Sequence, residues 1–218
     1  SMNNEVSVCV AWHTSGIASI QDAMAREMTT SATAVGADDT TVFPAVLNAM
    51  IGTKFRWITG YPGGAAMNLA MEREEVQGRC GWSWSSIKST QAHWLKEGKI
   101  RILLQLSLTP HPELANVPTI MDFAKSEEQR KVLELIFARQ IMGRPVLAPP
   151  NLPPERLKIL RDAFDATMKD KGFLAEAEKA DWEITPVTGA EIERLMARIY
   201  ATPPAIVELA QKVTPQPK

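Results

Sequence analysis

Apolar and polar positions along the first hundred residues alternate between two periods. Residues 6–10 alternate with period two, as in a strand, and apolar residues then recur at helical spacing over residues 17–24. The same order of strand, loop and helix returns twice, with strands at 31–35 and 55–59 and helices at 42–51 and 65–74. Strands separated by helices of this length predict parallel pairing in an α/β sheet.

A fourth strand and the strongest apolar segment complete this pattern. Residues 76–84 are predicted as a strand and residues 85–97 as a further helix, after which residues 100–108 form the most apolar predicted strand. The following loop, 109–118, carries three prolines. Such a loop marks a change of unit.

Beyond this loop the sequence becomes helix-rich. A helix is predicted over residues 126–142 and a short strand over 145–148, and the later helices each carry one apolar stripe that needs a covering surface. We therefore expect an α/β fold with two parts. An α/β lobe covers residues 5–105, and a helix-rich part with the crossing strand covers 106–213.

Charge and hydropathy exclude two classes of protein. The 24 Lys and Arg residues nearly balance 25 Asp and Glu residues, so nothing attracts the chain to nucleic acid. The longest apolar runs span only a few residues, far below the roughly 20 that cross a bilayer. The 218 residues correspond to about one and a half average domains. Ser1 and Met2 match the remnant of an expression tag.

Cysteine and histidine residues offer little chemistry. Cys9 and Cys80 are most simply interpreted as two buried thiols, with a single bridge or a reactive thiol as open alternatives. His13, His93 and His111 lie far apart without the spacing of a metal site. We expect no metal and no cofactor.

Catalytic motifs are incomplete. The run Gly81-Trp-Ser-Trp-Ser85 lacks the closing glycine of a nucleophile elbow and carries two bulky tryptophans around its serine. The glycine-containing loop at 60–65 matches no phosphate-binding motif. We therefore predict that the chain is not an enzyme and has no catalytic residues.

Two loops precede predicted helices and are candidates for anion binding. Gly63 and Gly64 open the helix at Ala65, and the exposed amides at such a terminus suit an anion, unless the glycines only allow a tight turn. Asp38, Asp39, Thr40 and Thr41 occupy the equivalent place one unit earlier. These four residues either cap their own helix or line the same cleft.

Trp82 and Trp84 fall two positions apart on one predicted strand. Period-two geometry then points both side chains to the same side of the sheet. They either cover the core or form the aromatic wall of a ligand pocket.

The run from Tyr61 to Val76 resembles the Tyr-x-Gly-Gly signature of the substrate-binding receptors of tripartite tricarboxylate transporters, the Bug family. Residues 106–123, with Val117-Pro-Thr119, are similar to the Pro-x-Leu-Pro-x-Val-Pro-Thr loop of that family. Residues 143–156 are similar to its Ala-Pro-x-Gly-x-Pro segment before a long C-terminal helix. The resemblance rests on the ordered set of motifs rather than on any one of them.

This resemblance implies a periplasmic-binding-protein-like fold of type II, whose two lobes close on a small organic acid. Residues 5–105 would be the second lobe and 106–213 a partial first lobe. It implies a periplasmic location and transporter subunits in the membrane as partners. With the aromatic wall included, the expected ligand-binding residues are Asp38, Asp39, Thr40, Thr41, Tyr61, Gly63, Gly64, Ala65 and Trp82.

Departures from the family pattern shape the remaining expectations. Asp38 and Asp39 put two negative charges beside an anion site, so they act as caps, or the ligand offers a cationic or hydroxyl group, or ordinary carboxylate binding is lost. Gln77 replaces the Asp that in this family usually follows the Val at the position of Val76. The family's opening segment has no counterpart before Val6, which predicts a truncated receptor with weak affinity, in which the exposed C-terminal helices pair two copies or rearrange.

Two other functions remain as alternatives. The first is a ligand-independent sensor or interaction module on the same fold. The second, more distant one is a small hydrolase acting through Ser83, Cys80 or His93.

Overall fold

The computed structural model describes residues 1–34, 36 and 38–215. Its strands are β1 (Ser7–Trp12), β2 (Met28–Ser31), β3 (Phe55–Ile58), β4 (Gly78–Ser83) and β5 (Ile100–Leu106). They form one sheet with the order β3-β2-β4-β1-β5.

Helices cover both faces of this sheet and make up most of the C-terminal part. The α-helices are α1 (Ile20–Ala25), α2 (Asp39–Ile51), α3 (Gly64–Glu72), α4 (Trp84–Thr90), α5 (Ala92–Lys96), α6 (Glu127–Phe137), α7 (Pro154–Thr167), α8 (Lys171–Lys179), α9 (Gly189–Tyr200) and α10 (Pro204–Val213). Short 3₁₀ turns lie at Pro112–Leu114, Ile120–Phe123 and Ala138–Met142. Among the described residues, no helix is long and apolar enough to cross a membrane.

The sheet is mixed rather than parallel. β2 runs parallel to β3 and β4, as the sequence predicts, but β1 is antiparallel to both of its neighbours, β4 and β5. All six residues of β1 are buried, as expected for a central strand covered on both faces. Its apolar pattern predicts burial but says nothing about the direction of neighbouring strands, and the prediction of parallel pairing is wrong there.

Two predicted strand segments differ from the structure. No strand forms over residues 145–148, where Val146 and Leu147 are 70% and 84% exposed. Pro145 and Pro149 on either side lack the backbone donors that a sheet requires. β2 ends at Ser31 rather than extending through residues 31–35, of which Val35 lies outside the described residues.

Apolar residues pack on each face of the sheet. The face covered by α1 and α2 buries Phe43, Leu47 and, from α6, Phe137. The face covered by α3 buries Met71 and Trp94 along with other side chains of β1 and β4.

Cys9 and Cys80 are opposite one another on β1 and β4. Their antiparallel register pairs the two residues directly, and the structure joins them in a disulfide. The interpretation of two unpaired thiols is therefore wrong, and the alternative of a single bridge describes this pair. Cysteine spacing along the chain could not show that register.

The N-terminal segment lies against the C-terminal part. The amide of Glu5 donates to the carbonyl of Gln140 at 2.8 Å, and the amide of Met2 donates to that of Arg144 at 3.1 Å. The amide of Thr185 in turn donates to the carbonyl of Met2 at 3.1 Å. These bonds connect the first six residues with segments more than 130 positions away.

The C-terminal helices leave an apolar groove, which we call the α7–α9 groove. α7, described over its full length, buries none of its residues. Between α7, α9 and the segment 145–152 lies a cavity of 830 Å³, lined by apolar side chains that include Val146, Leu147, Leu157, Leu160, Phe164, Ile192 and Met196.

Candidate functional site

The candidate site lies at the carboxyl ends of β2 and β3. The chain leaves β2 into α2 on one face of the sheet, and leaves β3 into α3 on the other face. In open α/β sheets, the crevice between two loops that separate in this way is the usual position for a ligand. The two loops are joined at their base, where the amide of Gly60 donates to the carbonyl of Thr33 at 2.9 Å.

The first loop is held together by its own polar side chains. Asp38 is the N-cap of α2, and one of its oxygens accepts from the Thr40 amide at 3.0 Å and from the Thr40 hydroxyl at 2.5 Å. Its other oxygen accepts from the Thr33 hydroxyl. The Thr41 hydroxyl accepts from the Gly36 amide at 3.1 Å. Asp38, Thr40 and Thr41 therefore fix the shape of the loop, and capping is the role that Asp38 has here.

Asp39 faces a different part of the molecule. Its carboxylate forms an ion pair with Arg139, whose guanidinium carbon lies 4.8 Å from the centre of the Phe43 ring. Burial raises the pKa of Asp39, while the positive charge of Arg139 opposes that rise. Asp39 and Arg139 line a polar cavity of 360 Å³ together with Ser83 and Arg144. Arg139 thus offsets one of the two negative charges that the sequence places beside the crevice.

The second loop offers open backbone amides. Gly63 is the N-cap of α3 and provides no side-chain cap. The first helical bond is donated by the Met67 amide to the Gly63 carbonyl at 3.1 Å, so the amides of Gly64 and Ala65 have no partner within the helix. Ala65 is exposed, and Gly63 and Gly64 are partly exposed. The positive end of the α3 dipole is therefore accessible to an anion.

Tyr61 comes before the two glycines in this loop. Its ring packs against the apolar residues on the α3 face of the sheet. Burial, followed by the negative charge of Glu75, raises the pKa of Tyr61. The phenol is therefore neutral near neutral pH, and its ring provides a wall rather than a charge.

A bulge in β4 determines where Trp82 points. Trp82 is opposite Val8 and Cys80 is opposite Cys9, so Gly81 is an extra residue in the strand. Gly81 has φ of +77°, a conformation that favours glycine. The extra residue shifts the alternation of side chains, so that Trp82, which is 3% exposed, lies on the α3 face.

Trp84 does not accompany Trp82 on the strand. It is the first residue of α4, so the prediction of two tryptophans on one strand is wrong. Trp84 instead donates from its indole nitrogen to Glu113 at 2.7 Å. The turn that ends β4 at Ser83 comes directly after the bulge, where period-two spacing no longer applies.

Arg79 is a charged residue of the site that the sequence patterns did not single out. The bulge places it on the same face as Trp82, and its guanidinium carbon lies 4.5 Å from the centre of the Trp82 ring. Nη1 donates to Oδ1 of Asn68 in α3 at 3.1 Å. An added Cβ on Gly64 would stand 3.3 Å from Nη1. The guanidinium therefore lies beside the first turn of α3.

The positive charge of Arg79 has no ion-pair partner among the described residues. Desolvation by burial lowers the pKa of Arg79 to about 10, and the charge of Asp38 opposes this effect. Nε is buried and has no hydrogen-bond partner among the described residues. Arg79 thus stays positive at neutral pH with donors to spare. A charged residue between Gly78 and Cys80, inside a buried strand, was the sequence signal that could have revealed it.

Ser83, which the hydrolase alternative names, is the N-cap of α4. The Ser83 hydroxyl lies 3.0 Å from that of Ser85 and accepts from the Ser86 amide at 3.3 Å. The bond from Ser86 caps α4, and the Ser85 hydroxyl donates to the carboxylate of Glu5 at 3.0 Å. In the part of the chain that the structure describes, no group of three His, Cys, Asp or Glu side chains is placed to hold a metal.

Comparison with known proteins identifies the fold. No protein-family model and no curated protein matches the sequence. A ligand-free TctC solute-binding protein from Polaromonas is similar in structure with a TM-score of 0.62 and 14% sequence identity, over 94% of this chain and 66% of that one. An R. palustris protein with adipate gives a TM-score of 0.59 and 16% identity, over 96% and 65%.

The periplasmic binding protein BugD gives a TM-score of 0.56 and 16% identity, over all of this chain and 70% of its own. The chain thus spans about two thirds of the length of these similar proteins. At such low identity the likeness concerns the fold. The chain has the α/β fold of the TctC and Bug periplasmic binding proteins.

Proposed function

We propose that this chain is part of an extracytoplasmic solute-binding receptor that captures a small organic acid. The observation that carries the proposal is the uncapped N-terminus of α3 at Gly63 and Gly64, which lies beside Arg79. The fold supports it, since one of the similar proteins is a TctC solute-binding protein and another is an R. palustris protein with adipate. Backbone amides and a positive side chain are groups that recognise a carboxylate.

Each residue of the crevice has a role in this proposal. A carboxylate of the acid accepts hydrogen bonds from the amides of Gly64 and Ala65. Asp38, Thr40 and Thr41 hold the opposite loop in shape through their mutual hydrogen bonds. Tyr61 and Trp82 form the apolar wall behind the ligand. Asp39 is paired with Arg139 and lines the polar cavity beside it, so it presents no uncompensated charge to the ligand.

The partners and location follow from the same proposal. The loaded receptor delivers its acid to the membrane subunits of a tripartite tricarboxylate-type transporter, and both work outside the cytoplasm. The Cys9–Cys80 disulfide supports this location, because disulfides persist mainly in oxidising compartments.

A second role is favoured by the α7–α9 groove. Its 830 Å³ cavity and the exposed Val146 and Leu147 beside it put a recess and an apolar protrusion on one surface. A two-fold axis can bring such a patch against its own copy. We therefore propose that two copies pair through this groove.

Thermal shift with adipate and adipamide tests acid binding. A folded chain that binds adipate melts at a higher temperature in its presence, by an amount that grows with ligand concentration. Adipamide has a similar length without charge, and we expect no comparable shift. A panel of adipate, glutarate and succinate without any shift would contradict the receptor proposal and favour a ligand-independent interaction module.

Ala65→Asp separates acid binding from general stability. Ala65 is exposed at the start of α3, so an aspartate there interacts favourably with the helix dipole but repels a carboxylate from the amides. We expect an unchanged or slightly higher melting temperature without ligand and a smaller shift with adipate. Ala65→Asn is the matched control, because it has similar size without the charge.

A further inference from the structure

We propose that Arg79 forms a direct, two-point ion pair with a carboxylate of the bound acid and makes the crevice selective for carboxylates over amides. This inference rests on the proposed function, because it names the residue that recognises the ligand. None of the expected site residues supplies a positive charge, so Arg79 would change the chemistry of the site from backbone recognition to charge recognition.

The position of Arg79 is fixed by three neighbours. Asn68 accepts from Nη1 at 3.1 Å, and the Trp82 ring centre lies 4.5 Å from the guanidinium carbon. Gly64 leaves room for the guanidinium, since even a Cβ would stand 3.3 Å from Nη1. An arginine held in this way presents its planar fork with little loss of conformational freedom on binding.

The hydrogen-bonding pattern leaves one edge of the guanidinium without a partner among the residues that the structure describes. Nη1 is engaged by Asn68, while Nε has no partner among the described residues. The side edge, formed by Nε and Nη2, is the one that matches the two oxygens of a carboxylate. A buried donor without a partner is costly, and a bound carboxylate would remove that cost.

Asp38, whose charge acts on Arg79, does not occupy this edge. Asp38 interacts with Arg79 only through space, because its oxygens accept from Thr40 and from the Thr33 hydroxyl. Asp38 therefore balances part of the charge while leaving the donors available. A buried cation with its counter-charge held at a distance is suited to an anionic ligand.

The bulge at Gly81 is what makes this arrangement. In a regular strand, Arg79 and Trp82 would point to opposite faces, because they are three positions apart. The extra residue puts both on the α3 face, where the Arg79 guanidinium lies next to Gly64 at the start of α3. In this proposal, the guanidinium of Arg79 and the N-terminus of α3 both bind the same carboxylate.

Isothermal titration with adipate, adipic acid monoamide and adipamide tests the proposal on the whole chain. We expect the wild type to bind in that order of decreasing affinity. Arg79→Met keeps the contact with Trp82 but removes the charge, and we expect it to weaken adipate binding by at least about tenfold, the effect of losing a charge-assisted hydrogen bond. Arg79→Lys keeps the charge without the fork and should bind adipate weakly as well.

Matched variants and ligands keep the result unambiguous. Arg56→Met removes an exposed arginine on β3 that pairs with Glu27, and we expect adipate affinity to remain unchanged. Circular dichroism confirms that each variant is folded. Should Arg79→Met not fold, Arg79→Lys and the three wild-type ligands still decide, since a wild type that binds adipate and adipamide equally overturns the proposal.

The outcomes also separate this inference from the proposed function. A wild type that binds adipate, with folded Arg79→Met and Arg79→Lys variants that bind it equally well, overturns the role of Arg79 and leaves the receptor proposal standing. A wild type that binds no acid at all overturns both. A purely structural role of Arg79 would lower the melting temperature of its variants without changing their preference between adipate and adipamide.

Discussion

Gly81 of β4 lies against the first residue of α2, so that a Cβ at Gly81 would stand 2.5 Å from the carbonyl oxygen of Asp39. The same glycine has φ of +77° and forms the bulge that turns Trp82 towards Arg79. One residue without a side chain thus allows both the close approach of α2 and the pairing of Trp82 with Arg79.

Replacing Gly81 with alanine should destabilise the protein strongly. The new Cβ would collide with the Asp39 backbone, which cannot move aside as a flexible side chain could, and the residue would be strained at a positive φ. We expect Gly81→Ala to lower the free energy of unfolding by about 3 kcal/mol. Urea denaturation measures this change.

Gly52→Ala is the control for the backbone angle alone. Gly52 has the same φ of +77°, and an added Cβ there meets nothing within 4 Å. We expect this variant to lose only about 1 kcal/mol. Equal losses in the two variants would show that the contact with Asp39 does not constrain Gly81.

Local sequence patterns predicted much of the fold because they report on neighbouring residues. The apolar stripe of α2 and its end at Gly52 follow from helical spacing and from a glycine that adopts φ of +77°. The glycines before α3 likewise predicted its start near Ala65. Both candidate loops could therefore be located from the sequence.

Local patterns could not predict which residues far apart in the sequence lie next to each other. The direction of β1 depends on which strands lie beside it, and the bridge between Cys9 and Cys80 depends on their register. The pairing of Arg79 with Trp82 depends on a bulge that only the alignment of β4 with β1 reveals. The local patterns did not single out Arg79 for this reason.

Glu113 should make stability depend on pH. Burial raises the pKa of its carboxyl, but hydrogen bonds from Lys88 and Trp84 and the charge of Lys88 outweigh burial, and the pKa lies below its usual value of 4.5. A folded pKa below the unfolded one contributes stability above the unfolded pKa. That stability is lost as the pH falls through the folded pKa.

Glu113→Gln removes this titration. We expect the wild type to be more stable than the variant near neutral pH, and the difference to shrink as the pH falls from about 5 to about 3. Thermal melting of both proteins across this range measures the effect. Parallel curves for the two proteins would contradict the assignment.

The disulfide should contribute substantially to stability. Cys9 and Cys80 are separated by 71 positions, and both are fully buried. Closing a loop of this length restricts the unfolded chain, and removing such a bridge costs about 2–5 kcal/mol. We expect the Cys9→Ala, Cys80→Ala double variant to unfold at lower urea concentration than the wild type.

Reduction provides the matching control for that variant. Added reductant should lower the unfolding midpoint of the wild type and leave that of the double variant unchanged. Mass analysis after alkylation of the urea-unfolded wild type, without reductant, should find neither thiol modified. Alkylation of both cysteines under those conditions would show that the bridge does not form.

We predict that two copies of the chain associate through the α7–α9 groove and that one substitution abolishes this association. Leu160 lines the groove and is 53% exposed on α7. If two copies cover this surface, an aspartate at position 160 buries an unpaired charge in the interface. We expect light scattering to give twice the 24.1 kDa chain mass for the wild type at high concentration and a single chain mass for Leu160→Asp.

Ile159 provides the control because it is adjacent and 66% exposed, yet does not line the groove. Its change to aspartate introduces the same charge on the same helix, about 100° around its axis. We expect Ile159→Asp to pair as the wild type does. A wild type that has the mass of one chain at every concentration contradicts pairing, whereas loss of the dimer in both variants places the contact elsewhere on α7.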